Sequence, residues 1–391
     1  MDQVVLRCAH AKECGGCSLP AMSYGDQVQR KESEIRSLFS QLAPSEAFLP
    51  IMPCADPWRY RNKMEFSFSQ NLKGDRFLGL MMPKSRGKVV NLAECHLVAA
   101  WFSDVLHAVR AWWSGTELAA YRMNDTGALR TLTVREGMRT KDKMVMLTVS
   151  GNPNYPVSRA CLSGFVRAVQ SAVEAPERLS IFLRVQQIQK GHPTQFYELH
   201  LAGPDHLIEK LDVGRQLLFK ISPTSFFQPN TQQAEQIYRT VVEWAQGTDR
   251  ALDLYAGTST IGLALAGACN QVVSIEINPY AVFDARMNQE MNGIKNLTVL
   301  QGDVGVILKE HDLSADLVVV DPPRAGLNPE AVAQVLRLNP EKIISISCNP
   351  KTQAQNVQDW VSGGYCVEKI QPVDQFPHTM HVENIVLLRH T

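Results

Sequence analysis

The sequence predicts an α/β chain in two parts: a Rossmann-like, doubly wound domain over the carboxyl-terminal half, and a β-rich domain ahead of it. Three observations carry this. From about Gln216 onward, short β-branched runs alternate with helical patterns. Several of those runs end in an acidic residue or a cysteine (Glu276, Asp303, Asp321, Cys348), and open α/β sheets hold ligands just past the carboxyl ends of their strands. Between 57 and 90, by contrast, runs such as Met64-Glu65-Phe66-Ser67-Phe68-Ser69 have the two-residue period of strands. The β-rich domain is expected over 1–19 and 52–215, the Rossmann-like domain over 20–51 and 216–391.

Composition narrows the class. A chain of 391 residues exceeds one ordinary core. With 45% apolar and 20% charged residues it reads as a globular protein, and no apolar run approaches the ~20 residues that span a bilayer. The opening MDQVVLRCAHAKECGG has neither the shape of a signal peptide nor that of a transit peptide, so a cytoplasmic, monomeric protein with no membrane partner is expected. The 39 basic and 39 acidic residues cancel, so any affinity for nucleic acid must come from a local patch. Nine cysteines without a secretion signal do not suggest a disulfide framework.

In chain order, Cys8-x5-Cys14-x2-Cys17 comes first, with Gly15-Gly16 turning between the last two cysteines. A tetrathiolate site needs a fourth ligand, for which Cys95 is the best candidate and Cys54 the rival. Spacing alone admits zinc or an iron–sulfur cluster. A helix from Tyr24 to Gln41 follows, expected to pack on the Rossmann-like domain. The stretch 57–90 interleaves Arg59, Arg61, Lys63, Lys73, Arg76, Lys84, Arg86 and Lys88 with Trp58, Tyr60, Phe66, Phe68 and Phe77. A basic β-surface with aromatics suits single-stranded or looped RNA, whose splayed bases stack on rings.

The carboxyl-terminal half opens with Ala251–Tyr255, a strand that ends in Ala256-Gly257-Thr258-Ser259-Thr260 and leads into a helix. Gln271–Glu276 is the next strand. Glu276 lies 19 residues beyond Gly257, a spacing at which a carboxylate can accept from a ribose diol. A helix over 279–292, a strand through Leu297–Leu300 to Asp303, the strand Asp316–Asp321, the strand Lys342–Ile346 and a closing strand Asn384–Leu388 complete the pattern. There is no Walker loop and no full G-x-G-x-x-G, so an adenosyl ligand without phosphates fits best, and S-adenosyl-L-methionine is the candidate. The alternative is that Glu276 and Asp303 only cap the helices that follow.

Two further turns specify the chemistry. Asp321-Pro322-Pro323-Arg324 follows a buried strand, as in enzymes that methylate planar nitrogenous rings, and Arg324 adds a permanent cation. Cys348 ends another strand and is followed by Asn349-Pro350. A cysteine has no use in methylating an exocyclic amine, but carbon methylation of a pyrimidine requires one. Uracil C5 becomes nucleophilic only after a thiolate adds to C6, and a base must later remove the C5 proton. Glu383, in Phe376-Pro377-His378-Thr379-Met380-His381-Val382-Glu383, is the candidate base, with His378 and His381 as orienting residues.

These motifs together resemble the RNA (uracil-C5)-methyltransferase family, which forms 5-methyluridine in ribosomal and transfer RNA. The resemblance covers most of the chain and rests on Ser225-Phe226-Phe227-Gln228-Pro229-Asn230, Asp253-Leu254-Tyr255-Ala256-Gly257, Asp321–Gly326, Ser347-Cys348-Asn349-Pro350 and Phe376–Glu383. It implies an S-adenosylmethionine-dependent methyltransferase fold, with Cys348 as nucleophile, Glu383 as proton acceptor and Arg324 assisting at the uracil. Gln228, Tyr255, Gly257, Thr260, Glu276 and Asp321 would bind the cofactor, with Asp303 near the adenine. Where the family has a second glycine, this chain has Ser259, which has less freedom at positive φ. The cysteine spacing is similar to that of the family's iron–sulfur branch and implies a [4Fe–4S] cluster on Cys8, Cys14, Cys17 and Cys95. Cys8 stands almost at the start, as in shorter members without an additional amino-terminal barrel. The expected substrate is therefore 23S ribosomal RNA, with uridine 54 of transfer RNA as alternative. A cytosine-C5 methyltransferase would have Pro-Cys where this chain has Ser347-Cys348. The rival of another class is a catalytically silent iron–sulfur RNA-binding protein.

Overall fold

The computed structural model describes residues 7–85, 87–188 and 191–391. The first six residues of the cysteine-rich opening, and Arg86 of the basic stretch, lie outside the described residues. The chain forms two compact units, one of residues 1–21, 58–209 and 221–223, the other of 22–57, 210–220 and 224–391. Helix α1 (Tyr24–Phe39) belongs to the second. Among the described residues no helix is long and apolar enough to cross a membrane.

The first unit is built on a seven-stranded sheet in the order β3-β2-β1-β4-β5-β6-β7. Its strands are β1 (Lys63–Gln70), β2 (Arg76–Met81), β3 (Val89–Asn91), β4 (Leu129–Glu136), β5 (Lys143–Ser150), β6 (Leu179–Gln187) and β7 (Gln195–Ala202). Neighbours are antiparallel except β5 and β6, whose parallel pairing requires a crossover. Helices α2 (Ala100–Ser114) and α3 (Arg159–Ser171) pack together, and α3 is that crossover. Alternation along β1 sends Met64, Phe66 and Phe68 inward, where Phe68 meets Trp113 of α2 edge-on at 5.1 Å. Here the structure corrects an expectation: Tyr60, Phe66 and Phe68 are core residues, not an exposed stacking surface. The same period-2 pattern that identifies the strand buries Phe66 and Phe68.

A hairpin of β8 (Leu207–Asp212) and β9 (Gln216–Ile221), of which residues 210–220 belong to the second unit, precedes α4. After α4 (Thr231–Trp244), strand and helix alternate: β10 (Arg250–Leu254), α5 (Thr260–Leu265), β11 (Gln271–Glu276), α6 (Pro279–Met291), β12 (Leu297–Gln301), α7 (Val304–Glu310), β13 (Leu317–Val320), α8 (Pro329–Leu338), β14 (Lys342–Ser347) and α9 (Pro350–Ser362). The last two strands, β15 (Tyr365–Val373) and β16 (Glu383–His390), form an antiparallel pair. Sheet order is β12-β11-β10-β13-β14-β16-β15, so the direction of winding reverses between β10 and β13. That reversal opens the crevice in which such sheets bind ligands. β16 does not close the edge of the sheet. It inserts antiparallel between β14 and β15, which the sequence did not suggest, and Asn384 pairs with Ser347. An antiparallel strand starts where its parallel neighbour ends, so Glu383 and Cys348 share one edge.

Candidate active site

Four strand ends converge on the crevice of the second unit. After β10 the backbone turns through Tyr255, Gly257 and Ser259, all at positive φ (62°, 54° and 57°). Ser259, standing where a glycine was anticipated, takes the left-handed conformation despite its side chain, whose hydroxyl is buried against Ser274 Oγ at 2.6 Å. Asp253 holds this turn from below by accepting from Gly262 N at 2.9 Å and Ser274 Oγ at 3.1 Å. Burial pushes its carboxyl up to about 7, against these hydrogen bonds. Gly262 is obligatory here, because a Cβ would collide with the Ser274 and Ser259 hydroxyls.

Glu276, at the tip of β11, accepts from Gly257 N at 2.9 Å through one oxygen and from Asn278 N at 2.7 Å through the other. It is thus locked over the turn and still faces the cavity. Asp303 behaves differently. Its carboxylate caps α7 by accepting from Val306 N at 3.2 Å, and it does not line the cavity. Its charge reaches Tyr255, whose hydroxyl is raised first by burial and then by Asp303. Gln228 is steadied by Gln375 Nε2, which donates to its Oε1 at 3.1 Å.

The reactive end is assembled from three turns. Cys348 follows β14, and Asn349 N donates to Ser347 Oγ at 3.0 Å, folding the chain into α9. Asn349 Nδ2 donates at 2.9 Å to the carbonyl of Arg324, tying this turn to the Asp321–Gly326 loop. Gln353 Nε2 donates to Ser345 O (2.9 Å) and Asn384 O (3.0 Å), fixing β16, and with it Glu383, to β14. Cys348, Glu383, Asp321 and Arg324 line one cavity of about 560 Å³, together with Gln228, Tyr255, Gly257, Thr260 and Glu276. That volume lies within the ~300–1,000 Å³ typical of small-ligand sites.

The electrostatics set these groups against one another. Burial raises the Cys348 thiol, Glu383 and Asp321 raise it further, and a hydrogen bond from Arg324 draws it back down. Glu383 is buried and held well above the usual carboxylate range, first by desolvation and then by Asp321, with Arg324 opposing. Burial pushes Asp321 up to about 7. Groups so perturbed beside a cleft are the mark of a reactive site. Tyr238 of α4 and Phe376 also line it and were not anticipated. Tyr238 is one of the buried residues of helix α4, and nothing in local spacing distinguishes it. His378 and His381 do not line the cavity. His378 is buried against α1, where its amide donates to Gln27 Oε1 at 2.8 Å, and His381 is exposed beside Phe376.

The cysteines of the first unit form a second constellation. Cys17 feels Cys95, Cys14 and Cys8, and Cys95 feels Cys14 and Cys8. Burial, then these neighbours, pushes Cys17 up to about 12. Gly16 N donates to Cys14 Sγ at 3.3 Å. Among the described residues, however, no three or more Cys, His, Asp or Glu side chains converge as a metal-holding group. Cys54 contacts Asn230 Nδ2 and donates to Asp56 O at 3.1 Å.

Comparison with known proteins gives this geometry its context. A family model described as tRNA (uracil-5-)-methyltransferase matches residues 182–391. An uncharacterized RNA methyltransferase of Protochlamydia amoebophila is 45% identical over 398 residues, covering 97% of this chain and 90% of that protein. One from Chlamydia trachomatis is 38% identical over 388 residues, covering 97% of each. Among solved structures, the Pyrococcus abyssi tRNA (uracil-54, C5)-methyltransferase in complex with S-adenosyl-L-homocysteine superposes with a TM-score of 0.74 at 26% identity, over 96% of this chain and 86% of that one. The chain belongs to the tRNA (uracil-5-)-methyltransferase family and is an S-adenosylmethionine-dependent RNA methyltransferase.

Proposed function

We propose that this enzyme methylates C5 of a uridine in 23S ribosomal RNA through a transient bond between Cys348 Sγ and uracil C6, working as a cytoplasmic monomer. The observation that carries the chemistry is the shared cavity of Cys348, Glu383, Asp321 and Arg324. S-adenosyl-L-methionine, when bound, supplies an electrophilic methyl group on a sulfonium cation. Gln228, Tyr255, Gly257, Thr260, Glu276 and Asp321 would hold it, with Asp303 acting through Tyr255. The cavity fits such a group: its walls are mainly apolar, and its acidic acceptors suit hydroxyl and amino donors.

The chain's own residues divide the remaining work. Arg324 favours the thiolate of Cys348, which adds to C6 and leaves C5 carrying the electron pair. Once C5 is methylated, Glu383 takes its proton, and the electron pair of that C–H bond expels Cys348 by β-elimination. Burial disfavours the charged form of Glu383. A cation entering the same cavity shifts it toward the carboxylate the base role needs. RNA containing 5-fluorouridine tests this directly. The enzyme should form a covalent complex that resists denaturation, and Cys348→Ala should form none; methylation persisting in that variant would refute the assignment.

For the first unit we propose a [4Fe–4S] cluster on Cys8, Cys14, Cys17 and Cys95. The spacing of Cys8, Cys14 and Cys17, the electrostatic influence of the four thiols on one another and the amide-to-sulfur bond at Cys14 support this reading, although the thiols do not converge as a metal-holding group among the described residues. Because methyl transfer moves no electrons to or from a metal, its role would be structural or RNA-positioning. Visible absorbance with iron and sulfide analysis of anaerobically purified protein separates it from zinc. The second reading of the substrate, uridine 54 of transfer RNA, is favoured by the likeness to the Pyrococcus abyssi enzyme. Mapping 5-methyluridine in both RNAs from cells lacking the protein decides between them.

A further inference from the structure

Helix α6 departs from amphipathic order at its first turn. Its buried residues are Val282, Asp284, Ala285 and Asn288, while Tyr280 is 73% and Phe283 62% exposed. Residues three apart on a helix are surface neighbours, so the two positions share an exposed face of α6 where polar residues belong. Phe226, itself 71% exposed, lines a second cavity with Tyr280. The Ser225 hydroxyl donates to Asp284 of α6, and this cavity measures about 230 Å³. Phe226, Gly257 and Glu276 belong to this cavity and also to the larger one that contains Cys348. A series of exposed rings therefore leads outward from the reactive cavity. Single exposed apolar residues need no explanation, but a contiguous set beside a site marks an interaction surface.

We propose that Phe226, Tyr280 and Phe283 form a stacking platform for an unpaired base of the substrate RNA, next to the nucleotide whose base enters the cavity. RNA is the occupant because one of its bases must react within, which brings the adjoining nucleotides across this rim. The second cavity carries Glu276 and Asp284 and no basic residue in its wall, so it repels phosphate. Aromatic faces accept a base regardless of its sequence. The platform thus holds bases and leaves the backbone to other surfaces. This deepens the reading above in that it requires an RNA substrate, but not that the methyl group goes to uracil C5.

The test is the Tyr280→Ala/Phe283→Ala double variant, titrated by fluorescence anisotropy with a short fluorescein-labelled single-stranded RNA and with the same sequence as a duplex, in the presence of S-adenosyl-L-homocysteine. Affinity for the single strand should fall about tenfold, the loss of one stacked base. Affinity for the duplex, calorimetric affinity for S-adenosyl-L-homocysteine and the unfolding midpoint should stay as in wild type. The Tyr280→Phe/Phe283→Tyr variant should bind single strands normally. Unchanged single-strand affinity, or equal losses for both RNAs, overturns the proposal. So does a parallel loss of S-adenosyl-L-homocysteine affinity, which would assign the rings to the cofactor. These binding measurements need no methyl transfer, so a wild-type enzyme that formed no adduct with 5-fluorouridine RNA would sink the uracil chemistry and leave this comparison standing.

Discussion

Arg324 opposes the effect of every other charged neighbour in the cavity: it draws Cys348 and Glu383 toward their charged forms while burial and Asp321 push them away. Replacing it by Gln raises the thiol further. The rate of adduct formation, which grows as the thiolate forms, should then have its alkaline limb at higher pH, with about a tenfold to hundredfold loss at neutral pH, the range for a lost charge-assisted hydrogen bond. An unmoved pH profile would remove Arg324 from that role. Glu383→Gln should still form the bond to uracil but fail to release it, so covalent complex should accumulate with natural RNA; clean turnover would exclude Glu383 as base. Asp321 adds a stability effect of opposite sense. An acid raised to about 7 in the fold stays protonated while the unfolded chain ionises near its ordinary value of about 4, so stability falls as pH rises between the two. Asp321→Asn should therefore stabilise the ligand-free enzyme at pH 8, on the order of 2 kcal/mol, and hardly at all at pH 4, as read by urea unfolding. That figure lies below the full linkage because the carboxyl opens on the cavity. Strand-tip residues such as Glu276, Asp321 and Cys348 were legible because a β-branched run that stops shows where its end is aimed. Asp303 shows the limit: a strand tip is also a helix start, and there the capping bond prevails.

At the scale of elements, helix α1 and its packing on the Rossmann-like domain were expected from sequence, but the residues that fix it there were not. The buried positions Gln27, Lys31, Ile35 and Phe39 recur every four residues, and only the last two look like a core stripe. Lys31 is fully buried and donates to Asp374 at 2.5 Å and to Phe376 O at 3.0 Å. Tyr24 donates to the other Asp374 oxygen at 2.8 Å. These bonds hold the 374–382 connection that ends at Glu383, so a helix distant in sequence fixes the cavity wall at Phe376. Burial lowers the Lys31 ammonium, and Asp374 offsets only part of that. Removing one partner of such a pair strands the other. Lys31→Met should cost about 3–5 kcal/mol in urea unfolding, and Lys31→Met/Asp374→Leu clearly less. Equal costs would show that the helix is held by Ile35 and Phe39 alone. The parallel strands β10 to β14 were readable from their apolar runs. The insertion of β16 was not, because pairing direction depends on the long-range register of Asn384 with Ser347.

For the whole molecule, a net charge of zero means that RNA is attracted by particular groups and not by a general field. The basic stretch 57–90 looked uniform in sequence, yet its cations differ in the fold. Arg76 donates to Trp113 O and Thr116 O, and Arg61 to Met64 Sδ, so both serve the fold of their own unit. Burial, then Arg135, brings Lys63 down to about 8. Arg59, Lys73, Lys84 and Lys88 remain exposed. Lys84 and Lys88 both lie on the connection between β2 and β3, where Met82 N donates to Lys88 O at 2.9 Å and closes a tight loop. Two lysines on so short a loop are suited to neighbouring phosphates. Each phosphate contact to a single strand contributes about 0.7 to the slope of log affinity against log salt. The Lys84→Gln/Lys88→Gln variant should bind RNA more weakly at low salt and show a slope smaller by about 1.4 than wild type. Its Cys348 adduct rate at saturating RNA should be unchanged, because the loop positions the backbone and not the reacting base. If the slope stays the same, phosphate is held elsewhere, and the composition of this stretch reflects a solvated hairpin.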